Sequence, residues 1–189
     1  MKYQRMFATT ILGLLLLPAA LAQQGDLLDH PGYVDFSELN QIAGSEPNVE
    51  VSLKEPLLNL ITNILKNNDE TAAQFISTLT RVNVRVFDSS RIDTTLMAAT
   101  MSAIAQRLDT SDWERVIRVR EGSDHVDVYF RLSDDAEMIH GIAIMVTEPE
   151  ETVLVNIVGN ISPADISAIG ARFNIEELSG MDYEQADDH

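Results

Sequence analysis

Cysteine is absent from this chain of 189 residues. That excludes a disulfide framework, a thiol nucleophile, a zinc–thiolate centre and the lipid-attachment cysteine of a bacterial lipoprotein. Positive charge is scarce, with 13 Lys and Arg against 30 Asp and Glu and a formal net charge of −17. A field of that sign repels nucleic acid and anionic lipid surfaces, and it attracts divalent cations or basic partners. The plainer reading of the excess is solubility in a crowded compartment. Long hydrophobic runs are lacking too. The one candidate, Phe7 to Leu17, falls short of the roughly 20 residues that span a bilayer. Glycines number nine and form no phosphate-binding loop, and there is no EF-hand loop, nucleophile elbow or zincin helix.

What is there begins with an address. Lys2 and Arg5 precede the apolar run, and Pro18-Ala19-Ala20-Leu21-Ala22 closes it with an Ala-x-Ala site. That order is a secretory signal peptide over 1–22, with cleavage expected between Ala22 and Gln23. The expected location is the periplasm or beyond, without a permanent membrane anchor. Loss of Lys2 and Arg5 would leave the mature chain still more acidic. It is one domain's worth of residues, and with 45% hydrophobic side chains overall it can bury a core unaided.

The expected organisation is an acidic lead-in over 23–48, a single domain over 49–175 and a flexible acidic tail over 176–189. Val49-Glu-Val-Ser-Leu53 alternates as a half-buried strand does. Leu57, Leu58, Ile61, Ile64 and Leu65 fall on one helical face after Pro56, and Ala72, Phe75, Ile76 and Leu79 make a second stripe. A strand over 81–87 follows. Ser90-Arg-Ile-Asp93 is a candidate capping box for the longest helix, with Met97, Met101, Ile104 and Leu108 as core filler rather than a ligand surface. From Trp113 to Ile161 the period is two, as in a four-stranded meander, and Ser162-Pro-Ala-Asp165 caps a last helix. The implied fold is a two-layer α+β domain of order β-α-α-β-α-β-β-β-β-α. It has about six mostly antiparallel strands, and helices packed on one face.

The first meander hairpin can be aligned. With its loop at 121–124, Arg120 faces His125, Arg118 faces Asp127, Val116 faces Tyr129 and Glu114 faces Arg131. Val119 then meets Val126, Ile117 meets Val128 and Trp113 meets Leu132; Arg115 beside Phe130 is the one mismatch.

Candidate sites are few. His125 and His140 lie on adjacent strands, but this alignment sets His140 near Tyr129 or Phe130, about 13 Å from His125, too far to share one ion. Ser123-Asp124-His125 has the residue types of a triad in the wrong arrangement, since neighbours in a tight turn point apart. The acid pairs Asp134-Asp135 and Glu150-Glu151 sit among turn formers and look like solvated connections. The polar face of the sheet is the one candidate partner-binding surface: Arg81, Arg85, Arg118, Arg120 and Arg131, with Tyr129, could hold a partner's acidic segment or the chain's own tail. The competing reading is a face laced with cross-strand ion pairs, for which Asp127 and Glu114 already supply partners. Tyr33 and Phe36 form a second candidate contact unless they simply pack onto the domain. No catalytic, cofactor-binding or metal-binding residue is singled out.

Several blocks carry a likeness. Pro31-Gly-Tyr-Val-Asp-Phe36, Val49-Glu-Val-Ser-Leu with Pro56-Leu-Leu, Val82-Asn-Val-Arg-Val-Phe87, and Val155-Asn-Ile-Val-Gly-Asn-Ile161 with Arg172-Phe-Asn-Ile175 resemble the bacterial secreted family called domain of unknown function 4252. The resemblance implies no activity, cofactor or catalytic residues. Genes of that family beside alternative sigma factors and their membrane-bound antagonists imply an envelope-sensing or regulatory role. The expected function is therefore a non-catalytic binding module with a protein partner in the cell envelope and no nucleic-acid partner. The alternatives are a small secreted hydrolase or metal-dependent enzyme using carboxylates and a histidine, or a carrier of an apolar ligand between sheet and helices.

Overall fold

The computed structural model describes residues 29–42 and 46–172. The expected signal peptide, its cleavage site at Ala22–Gln23 and the acidic tail over 176–189 lie outside them. Strands β1 (Val49–Lys54), β2 (Leu79–Asp88), β3 (Trp113–Glu121), β4 (Asp124–Leu132), β5 (Ile139–Thr147) and β6 (Glu151–Ile161) form one sheet. Helices α1 (Glu55–Leu65) and α2 (Glu70–Ser77) lie between β1 and β2, α3 (Thr94–Asp109) between β2 and β3, and α4 (Pro163–Arg172) after β6. The element order is the expected one, and the fold is α+β.

Strand order is β1-β2-β6-β5-β4-β3, every neighbour antiparallel. After β2 the chain passes through α3 to the far edge, and the meander β3 to β6 returns until β6 pairs with β2. Caps stop and start the helices as local chemistry dictates. Asp69 accepts from the Ala72 N–H at 3.1 Å, and Ser162 and Asp165 exchange bonds as a capping box (2.9 and 3.2 Å). At α3 the cap is not Ser90. Asp93 accepts from Thr95 N–H and Leu96 N–H, while Ser89–Arg91 forms a 3-10 turn. An aspartate directly before the helical run reaches the free N–H groups of the first turn, and Ser90 bonds to Asp88 instead.

The expectation of helices on one face is corrected. Neighbouring residues of one strand, such as Tyr129 and Phe130, or Ala143 and Ile142, belong to different core clusters, so the clusters lie on opposite faces. One face meets Met97, Met101, Ile104 and Leu108 of α3. The other meets Leu58 of α1, Phe75 and Ile76 of α2 and Ile166 of α4. The central strands β5 and β6 are apolar in both phases of the alternation, as strands covered on both faces require.

Residues 31–42, expected to precede the compact domain, are packed into it. Val34, Phe36, Leu39 and Ile42 are buried in the cluster that holds the α3 methionines. The segment is a strap across the α3 face. Its short apolar pattern passes through a Pro31-Gly32 turn and a 3-10 turn (Ser37–Gln41), and so shows no single period.

Candidate functional site

The β3–β4 hairpin keeps the expected register from Ile117↔Val128 through Arg118↔Asp127 to Arg120↔His125. Beyond it a bulge at Val116 shifts the pairing by one, giving Arg115↔Tyr129, Glu114↔Phe130 and Trp113↔Arg131. One extra residue removes the mismatch, because Arg115 now stands on the polar face beside Tyr129. Ser123 lies in the tight turn after Gly122, whose φ of +59° suits glycine.

The arginine face is built, and its bonds are spent on the fold. Arg118 Nε and Arg120 Nη2 grip the two oxygens of buried Asp127 at 2.9 and 2.6 Å. Burial is the largest influence on that carboxyl and opposes its ionisation, yet the two guanidiniums together hold it below its ordinary range. Arg85 pairs with Glu50 at 3.2 Å and donates to the Phe36 carbonyl of the strap at 3.3 Å. Arg81 donates to Asn83 and stands 5.7 Å from the centre of the Tyr33 ring. Arg131 takes Asp112 at 3.1 Å rather than Glu114. Tyr129 is 0% exposed, with its hydroxyl accepting from Arg115 at 3.1 Å, so it cannot touch a partner. Its phenol is pushed up by burial, against the pull of Arg115. Tyr33 and Phe36 pack onto the domain.

His125 and His140 do not meet. His125 pairs with Thr147 at one end of β5, and a bulge between Ile139 and Gly141 leaves His140 near the Arg131–Leu132 step rather than at Tyr129 or Phe130. Its neighbour is His30 of the strap, ring centres 6.0 Å apart and edge to face. His30 Nδ1 accepts from the Gly32 N–H at 3.1 Å. Burial first, then the positive charge of His140, lowers the His30 imidazole from its ordinary 6.5. The unfolded chain therefore takes up that proton more readily. Neutral His30 contributes fully above about pH 6.5, and its contribution drains away as pH falls through the window below. Between about pH 7.5 and about 5.5, amide-exchange protection at Gly32 and Val34, corrected for intrinsic rates, should decline. A His30→Gln chain should show no such decline; the same decline in both would reject His30 as the cause.

The opposite face carries a feature that single-strand patterns do not reveal. Register aligns Val49, Val86, Val153, Val146, Val126 and Val119 in one row across all six strands. Two residues along lies a second row, Val51, Val84, Val155, Ile144, Val128 and Ile117. The third, from Leu53 to Phe130, sits under α1, α2 and α4. None of the first row and only Val128 and Ile144 of the second join the core clusters. Val49 and Val119, on the two edge strands, are 48% and 43% exposed, and the four valines between them are half-buried. Among the described residues the helices thus cover one end of this face and leave the other end apolar and open. Exposed Leu57, Leu60 and Ile64 of α1 add to the uncovered apolar surface.

On the outer side of the valine row the two-residue period brings up Asp88, Glu151, Glu148, Asp124 and Glu121. Asp88 and Glu151 are paired, as are Glu121 and Asp124, and the Glu148 N–H bonds the Glu151 carbonyl. Asp88 pairs with Arg91 at 3.1 Å. Among the described residues the other four are exposed and have no ion-pair partner. The sequence signal was a valine two residues from an acid at five strand ends, legible only once the strands are known to be neighbours.

The model of the family described as "Domain of unknown function (DUF4252)" matches residues 44–169. The chain belongs to this family. Its matched part spans β1 to most of α4 and begins after the strap, so the DUF4252 region holds every strand of the open face. No curated protein and no solved structure matches the chain.

Proposed function

We propose that this DUF4252 protein is an exported, non-catalytic binding module of the bacterial envelope, with a regulatory role, that engages a protein partner through the open end of its apolar sheet face. The observation that carries the reading is the two-row apolar field, continuous across the sheet and, among the described residues, joined to the helix-covered cluster only at Val128 and Ile144. Monomeric proteins rarely leave a contiguous apolar patch of this kind uncovered, and those that do use it for binding. Support also comes from the polar clusters. Asp127 with Arg118 and Arg120, and Tyr129 with Arg115, direct their bonds to one another rather than into a cleft.

A photo-crosslinking amino acid placed at 119 or 153, on the open face, should capture the same envelope protein in cells. Placed at 118, on the other face of the same strand, it should capture none. Equal capture from 118, or no reproducible adduct from 119 and 153, would reject this surface as the working one.

A further inference from the structure

The chemistry of the occupant can be taken further, resting on the docking surface just proposed. We infer that it is an amphipathic helical segment of a partner protein whose apolar stripe is bordered along one side by lysines or arginines.

Shape comes first. Five inter-strand steps of about 4.8 Å make the field about 24 Å wide, and its two rows lie about 7 Å apart. A helix of about 16 residues is about 24 Å long and about 10 Å across. Helices α1, α2 and α4 already pack on the adjoining part of the same face, so an incoming helix would continue an existing layer. The field's valines and isoleucines offer apolar contact but supply no polar side chain for orientation.

Charge supplies the orientation. The carboxylates Glu121, Asp124, Glu148 and Glu151 border the valine row on the side away from the packed helices. A helix lying on the rows would have this border along its flank. Lysine and arginine stems can lie over the valines while their charged ends reach the carboxylates. Other occupants meet repulsion. A second copy would bring the same border and a net charge of −17. The chain's own last residues carry Glu176, Glu177, Asp182, Glu184, Asp187 and Asp188. An anionic bilayer repels the border too.

The test uses the full chain and two fluorescent helical peptides of about 18 residues with one leucine–isoleucine stripe. One has four lysines along a single border of that stripe; its twin has four glutamates there. Fluorescence anisotropy at about 25 mM salt should show the lysine peptide binding at least about tenfold tighter, and the preference should shrink severalfold at about 500 mM as the charges are screened. The quadruple variant E121Q/D124N/E148Q/E151Q, altered only at exposed strand ends, should lose the preference. Val153→Asp, checked for folding by circular dichroism, should weaken both peptides. If both peptides bind equally and Val153→Asp weakens both, the docking face stands and its cationic partner is rejected. If neither binds while sedimentation shows a dimer that Val153→Asp dissociates, a second copy is the occupant and the inference falls. Uptake by phosphatidylglycerol vesicles, lost in Val153→Asp, would likewise overturn it in favour of a membrane.

Discussion

Replacing Asn156 with leucine is expected to cost about 3 kcal/mol and to free the strap from the sheet, because two strap peptide groups lose their partners in a buried place. Asn156 is 0% exposed. Its Oδ1 accepts from the Val34 N–H at 3.1 Å, and its Nδ2 donates to the carbonyls of Gly32 at 3.0 Å and Ile142 at 3.2 Å. A single amide thus serves as donor and acceptor for a segment running over β5 and β6. Leucine has similar volume but leaves the Val34 N–H and Gly32 carbonyl unpaired, at roughly 1–3 kcal/mol each, offset in part by its greater apolarity. Asn156→Asp should be worse at neutral pH. It keeps the acceptor but turns a buried negative oxygen toward two carbonyl oxygens. Urea unfolding gives the stability, and limited proteolysis between residues 31 and 42 reports the release. A loss below about 1 kcal/mol would mean that Val34, Phe36 and Leu39 hold the strap by burial alone.

The second large effect is expected at Gly141. A Cβ there would collide with the Gly32 carbonyl, and would lie 2.5 Å from Gly32 Cα and 2.7 Å from the Trp113 ring. Trp113 can shift, but the Gly32 backbone can retreat only by lifting the strap. Gly141→Ala is therefore expected to cost about 2–3 kcal/mol, in the range of overpacked cores. It releases the same segment as Asn156→Leu, so the two losses should not add. The double variant should be destabilised by clearly less than their sum, since a strap can be freed only once. Full additivity in urea unfolding would show that the glycine clash is absorbed at Trp113 and that the strap stays docked.

Several features were legible from local pattern because local forces set them. The methionine stripe of α3, the Ser162–Asp165 box and the alternation of β3 to β6 each depend on residues a few positions apart. So does the hairpin register nearest its turn, where Arg118 meets Asp127 and Val119 meets Val126. The bulge at Val116 was foreshadowed by a single mismatch, Arg115 against Phe130, which only an inserted residue relieves. The arginines were legible as a group. Their bonds to Asp112 and the Phe36 carbonyl were not, since these come from the loop before β3 and from the strap.

From the residues alone, periodicity and turn chemistry determined the α+β class, the order of the elements and the side chains available for a core. The tertiary structure decided the strand order, the covering of both faces and the docking of the strap. It also decided the meeting of six valines in a row beside a line of carboxylates. The physical reason is distance along the chain. Asn156 and Gly32 stand 124 residues apart, and β6 reaches β2 only after the meander has returned, so no window of neighbouring residues carries that information.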